Sequence, residues 1–125
     1  MNAERIHTLL FVSGPYSTGD PEENTRRAIE VEAQLIEGGW SVFCPHANTH
    51  FAAKILGKQF MGQGINWYEI DNVVLRRCDG IVMLPDWERS KGARAELEIA
   101  VKLGLQIFYW SSDREWLTDG GTGNE

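Results

Sequence analysis

The chain has 125 residues, 42% hydrophobic and 24% charged, which is the make-up of an ordinary globular protein with a single core and excludes a disordered chain. Its formal net charge of −6 argues against broad binding to nucleic acid polymers or to anionic membranes, both of which favour basic surfaces. No apolar run approaches the ~20 residues of a membrane span, and the first apolar segment is too short for a signal peptide, so a cytoplasmic protein is expected.

The first element is TLLFV (residues 8–12), a nearly all-apolar run that fits a strand buried on both faces. It stops at SGPYSTGDP, a loop by its glycines and prolines. A helix follows, with Asp20 as N-cap, Pro21 at the first helical position and Glu22 and Glu23 at the positive end of the dipole. Ala28, Val31, Leu35 and Ile36 recur at helical spacing, and Gly38 and Gly39 end the helix. WSVFC (40–44) is a second strand, closed by Pro45.

The next segment, 46–64, mixes helical pattern with several glycines and reads as neither helix nor loop. From Trp67 to Arg77, the apolar residues Trp67, Ile70, Val74 and Leu75 fit a helix. GIVML (80–84) is a third buried strand. A turn, PDWERSKG, leads into a helix that runs to about Leu103, with Gly104 at its end. QIFYW (106–110) is a fourth strand. A single domain is expected over 1–112, followed by a partly disordered tail at 113–125.

Strands alternating with helices imply a three-layer α/β sandwich around a parallel sheet of four to five strands, in a flavodoxin-like or other Rossmann-like order. In such sheets ligands bind beyond the carboxyl ends of the strands. That selects the loop after strand one, the one after strand two and the one after strand three. In the first, Gly14 permits close approach of a ligand and Tyr16 offers a flat face with a polar tip. Neither a dinucleotide fingerprint nor a phosphate-binding Walker loop is present.

The third loop carries more chemistry. A helix opening near Ser90 to Gly92 has free N–H groups that can cradle a phosphate, with the Ser90 hydroxyl added. Glu96 lies about one turn in, where the dipole would favour its ionised form and a nucleophilic or cation-stabilising role. Ordinary capping with solvated Glu96 and Glu98 is the competing reading. On pattern alone Asp71 reads as a surface carboxylate and Asp79 as a structural turn residue, while Asp86, at the functional edge, stays open between ligand contact and loop support.

His46 and His50 have H-x3-H spacing, which would place both on one face of a helix. Pro45 argues for a loop and no third ligand is evident, so no metal is expected, and no cofactor. Cys44 and Cys78, the only cysteines, read as buried free thiols. Of five tryptophans, Trp40 and Trp110 read as core, Trp67 and Trp87 as flanking the site, and Trp116 as docking the tail, on a second subunit among other options.

Together these residues resemble the nucleoside 2-deoxyribosyltransferase superfamily, and more closely its short, often phage-encoded members. The resemblance rests on FVSGPYS, PEEN, GGWSVFCP and CDGIVMLPDWERSKGARAELEIA, the last being the most specific. It implies cleavage of an N-glycosidic bond, with Glu96 attacking the anomeric carbon and Asp71 contacting or protonating the base. It further implies that Ser90, where transferases on free nucleosides carry aspartate, accepts a 5′-phosphate, with Arg89, Lys91 and Arg94 adding positive charge. Ser13, Gly14, Tyr16, Asn24, His46, Asp86, Trp87, Ser90 and Gly92 are the substrate-binding residues expected. Arg94 departs from the glycine usual in the phosphate-binding branch. A homodimer or higher oligomer is expected, with Ser111 and Ser112 as the candidates for reaching a neighbour's site. Hydrolysis of a nucleoside 5′-monophosphate is favoured over base exchange. A phosphoribohydrolase lacks support because its PGGxGT loop is absent, and a non-catalytic nucleotide-binding module is the alternative from a different class.

Overall fold

The computed structural model describes residues 4–56 and 65–110. The tail expected at 113–125, with Ser111, Ser112 and Trp116, lies outside them, as does 57–64 of the ambiguous segment. Strands β1 (Leu9–Ser13), β2 (Ser41–Phe43), β3 (Gly80–Met83) and β4 (Gln106–Tyr109) form one sheet in the order β2-β1-β3-β4. Every pairing is parallel, with Leu10 opposite Gly80, Phe11 opposite Phe43 and Gly80 opposite Gln106. This is the flavodoxin-like arrangement of the first four strands, as the alternation of apolar runs and helical stretches implies.

Alternate residues of the central strands face opposite layers, the period-two rule for strands. Leu10, Val12, Val82 and Leu84 pack with Ala28, Val31 and Leu35 of helix α1 (Pro21–Glu37). Phe11, Ile81 and Met83 pack on the other face with Leu75 of helix α3 (Trp67–Leu75) and with Ala93 and Ala100 of helix α4 (Lys91–Leu103). Helix α2 (Pro45–Leu56) lies against α1 and β1. Trp40 and Trp110 are buried, and so are the free thiols of Cys44 and Cys78. Burial pushes these thiols up to about 11 and about 12, which leaves them unreactive.

The helix ends follow their local chemistry. Asp20 accepts from the Glu22 N–H, Asn66 from the Glu69 N–H and Ser90 from the Ala93 N–H. Asp79 is structural: its carboxylate accepts from the Leu9 N–H at 2.8 Å and its own N–H donates to the Leu9 carbonyl at 2.8 Å, which ties the start of β3 to β1.

Two expectations are corrected. The segment after Pro45 is helical from Pro45 itself, because proline suits the first position of a helix, where its missing N–H has no partner to lose. In α3 the phase differs from the apolar pattern: Asp71 and Leu75 are buried, whereas Ile70 is 44% exposed. No helix among the described residues is long and apolar enough to cross a membrane.

Gly104 ends α4 in the left-handed region, at φ 72°, with open space where a Cβ would stand. Gly104→Ala therefore tests conformation without a clash. It is expected to lower stability by about 1 kcal/mol, read as a shift of the urea midpoint at unchanged m-value.

Candidate active site

The strand order reverses between β1 and β3, since the chain leaves β1 to build β2 on one side and returns to build β3 on the other. At that switch point the carboxyl ends of β1 and β3 lie together, and the Leu84 side chain fills the space where a Cβ on Gly14 would stand, 2.8 Å away. Ser13, the last residue of β1, is fully buried, and its hydroxyl donates to Glu96 Oε1 at 2.6 Å.

Glu96 reaches Ser13 because it lies on the inward face of α4. The buried residues of that helix are Ala93, Glu96 and Ala100, three and four positions apart. Glu98 points outward and pairs with Lys102 at 3.5 Å, as a solvated helix residue does. Glu96 is only 7% exposed, and its carboxyl is pushed up to about 7. Burial is the largest cause; the Ser13 hydrogen bond opposes it and the charge of Asp71 adds to it. The expectation that the helix dipole would favour the ionised form is thus overturned. Glu96 is the sixth residue of α4, beyond the first turn where the dipole acts, and desolvation dominates.

A cleft of 260 Å³ opens over Glu96, walled by the loop after β1, by α2, by α3 and by the start of α4. Gly14, Tyr16, His46, Asp71, Ser90, Gly92 and Glu96 all line it. Asp71 is buried, and desolvation raises its carboxyl to about 6. Four buried polar atoms of the lining residues have no hydrogen-bond partner among the described residues: His46 Nδ1, Thr49 Oγ1, Trp67 Nε1 and Asp71 Oδ1. Buried polar groups are nearly always paired, so this concentration on one cleft is the mark of a ligand site.

The start of α4 forms one rim. Ser90 Oγ accepts from the Ala93 N–H at 3.1 Å, which leaves its own O–H to donate outward. Of Arg89, Lys91 and Arg94, only Lys91 lines the cleft. Arg94 donates to the Glu88 carbonyl at 2.6 Å, and Arg89 lines a different groove. Neither arginine lines the cleft itself. Gly92 is closely approached by Tyr68, whose Cε1 would lie 2.8 Å from an added Cβ.

Three expected substrate contacts lie elsewhere. The amide of Asn24 donates to the carbonyls of Tyr16 and Thr18, so it shapes the first loop from behind. Asp86 occupies the left-handed region at φ 69° and lines a groove of 600 Å³ beside α1. None of that groove's lining residues is a buried polar side chain. Trp87 packs toward Tyr109, with ring centroids 6.0 Å apart.

Thr49 and Tyr68 line the cleft and were not singled out from the sequence. Thr49 was findable, since it lies one turn after His46 once the segment is helical. Tyr68 carried no signal, being an exposed residue off the apolar stripe. The helix also puts His46 and His50 on one face, but three of their four ring nitrogens meet protein partners: Nε2 of His46 is 2.9 Å from the Pro15 carbonyl, and His50 contacts Tyr16 Oη at 2.8 Å and Glu22 Oε1 at 3.1 Å. Among the described residues no group of three or more His, Cys, Asp or Glu side chains is arranged to hold a metal ion.

The family described as "Domain of unknown function (DUF4406)" matches residues 8–109, from the start of β1 to the end of β4. The chain belongs to this DUF4406 family. No curated protein matches it. The described cleft of this DUF4406 domain, from Gly14 to Glu96, falls inside the matched span.

The raised carboxyl of Glu96 has a consequence for stability. The folded chain holds that proton more tightly than the unfolded chain, whose glutamate titrates near 4.5. Ionising Glu96 therefore destabilises the fold as pH rises from the unfolded value through the folded one. Glu96→Gln removes this penalty and keeps an acceptor for Ser13. It is expected to match the parent near pH ~4 and to exceed it by on the order of 3 kcal/mol near pH ~8, measured by urea unfolding at both values.

Proposed function

We propose that the chain hydrolyses the N-glycosidic bond of a nucleoside 5′-monophosphate, giving free base and sugar phosphate through a glycosyl ester on Glu96. The observation that carries this reading is the pair Asp71 and Glu96: two buried carboxyls, both raised toward neutrality, share one cleft at the sheet's switch point. Groups poised near neutral pH in a cleft are suited to acid–base and nucleophilic work. The resemblance of the surrounding motifs to nucleoside deoxyribosyltransferases supplies the reaction class.

In the first step an oxygen of ionised Glu96 bonds to the anomeric carbon as the bond from that carbon to the base nitrogen breaks. The electron pair of the broken bond leaves with the base, which takes a proton from Asp71. In the second step water bonds to the anomeric carbon, its proton passes to Asp71, and the ester bond breaks with its electron pair returning to Glu96. This sequence needs a proton on Asp71 and none on Glu96, the reverse of the order in the free protein, where Glu96, pushed up to about 7, holds its proton more tightly than Asp71 at about 6. A base covering Asp71 removes more water and moves the proton toward it.

The 5′-phosphate would lie at the start of α4, held by the Ser90 hydroxyl, the first N–H groups of the helix and Lys91. Ser90→Asp tests this without removing the helix cap, since aspartate caps as well as serine. It is expected to lower kcat/KM for monophosphates by at least ~10-fold through charge repulsion, with much less effect on free nucleosides.

The decisive assay incubates the protein with a panel of ribo- and deoxyribonucleoside 5′-monophosphates and free nucleosides and follows released base by chromatography. Release from monophosphates is expected, with Glu96→Ala inactive and Asp71→Asn slower by on the order of 10²–10⁴-fold. Release that persists in Glu96→Ala would rule out the glycosyl ester. An added second base that appears in a new nucleotide marks base exchange, and no release from any substrate marks a binding module.

A further inference from the structure

The α2 wall of the cleft carries two histidines whose partners fix their ring protons. His46 Nε2 lies 2.9 Å from the Pro15 carbonyl. A carbonyl only accepts, so Nε2 carries the proton. Burial holds His46 below the ordinary histidine value, which favours the neutral ring. Its Nδ1 then carries a lone pair, and it has no partner among the described residues.

His50 is arranged in the same sense. Its Nε2 lies 3.1 Å from Glu22 Oε1, and that oxygen is also 2.7 Å from Lys54 Nζ. Lys54, and then His50, hold the Glu22 carboxyl below its ordinary value. Glu22 is therefore a carboxylate and only accepts, so Nε2 of His50 carries the proton. On the neutral ring Nδ1 is a lone pair, and the Tyr16 hydroxyl 2.8 Å away has to donate to it. The Tyr16 oxygen is left with acceptor capacity alone. The Tyr16 ring stands edge-on to both imidazoles, with centroids 6.1 Å from His46 and 5.7 Å from His50, and Tyr16 and His46 both line the cleft.

We propose that Glu22 and His50 act as positioning residues that hold the Tyr16 hydroxyl as a hydrogen-bond acceptor, and that Tyr16 and His46 together select a ligand bearing an N–H or O–H donor on the α2 side of the cleft. The device does not depend on the reaction, but naming the ligand rests on the nucleotide reading above. In a nucleotide the donor is either an exocyclic amino group of the base or a hydroxyl of the sugar. A ligand with neither leaves a buried acceptor unpaired, which is the physical basis of the selection.

Two measurements on the full chain test this. The first uses no ligand. Long-range proton–nitrogen correlation spectra at a pH of about 7.5, assigned with His46→Gln and His50→Gln, are expected to show both rings protonated on Nε2 and bare on Nδ1. A proton on Nδ1 of His50, alone or with Nε2, would overturn the proposal.

The second measures binding by calorimetry in the Glu96→Gln background, so that ligands are not turned over. Cytidine is paired with uridine monophosphate and adenosine with inosine monophosphate, to read the amino group. Adenosine monophosphate is paired with its 2′-deoxy form, to read the hydroxyl. At least one kind of pair is expected to differ by ~10-fold or more, and which kind names the donor. The difference is expected to fall below ~3-fold in Tyr16→Phe and in His50→Leu, and to be restored in His50→Gln, whose amide oxygen still accepts from Tyr16. A preference that survives intact in Tyr16→Phe, or no preference in any pair, would overturn the selection. If no nucleotide binds at all, the functional reading falls, and the spectra alone decide the acceptor assignment.

Discussion

The site depends on one constraint, the parallel pairing of β1 with β3 while β2 pairs on the other side of β1. A chain that builds outward in both directions from one strand must leave a crevice where the directions diverge. Here the crevice is narrow because Gly14 lets the end of β1 come within contact of Leu84. The same pairing sets the height of Ser13 against the loop that opens α4, so that a residue on the inward face of α4 can reach the Ser13 hydroxyl. Asp79 holds the other end of this pair in register. The catalytic proposal thus rests on a backbone arrangement that the core alone would select.

What the core would not select is the identity of the buried polar groups. Glu96 occupies a position between Ala93 and Ala100 on the inward face of α4, where an aliphatic residue would bury without a desolvation penalty. Asp71 sits one turn before Leu75 on the buried face of α3 in the same way. Packing accounts for neither, and the unpartnered atoms of His46, Thr49 and Trp67 fall around the same cleft. Sites that sacrifice stability in this manner are where function departs from foldability.

Much of the fold was legible in the sequence because its signals are local. Apolar runs gave the strands to within a residue or two, and Asp20, Ser90 and Gly104 marked helix ends through side-chain chemistry that needs no tertiary context. The failures share one cause, that burial is a property of the assembled layers. Ile70 beside Asp71 suggested an apolar stripe in the wrong phase, because the stripe in fact runs through a carboxylate. Pro45 read as a breaker where it is a helix start. The ionisation of Glu96 was judged from the helix dipole, a local quantity, when desolvation by the sheet decides it. Asp86 and Trp87 lie next in sequence to the right loop but face a different groove and Tyr109, and Asn24 in α1 turns its amide to the carbonyls of the first loop.

The raised carboxyls also bear on how an acidic chain could bind an anion. With a formal net charge of −6, long-range attraction does not favour a phosphate, so the attraction has to be local. The start of α4 offers it through the Ser90 hydroxyl, the first helix N–H groups and Lys91. That alone would be insufficient if Asp71 and Glu96 were both ionised in the same cleft, since two fixed negative charges would oppose a third. Burial eases the conflict by raising both carboxyls, Glu96 to about 7 and Asp71 to about 6, so that near neutral pH the cleft is less negative than its composition implies. The desolvation that makes the pair costly to the fold is then also what would let a phosphorylated ligand enter.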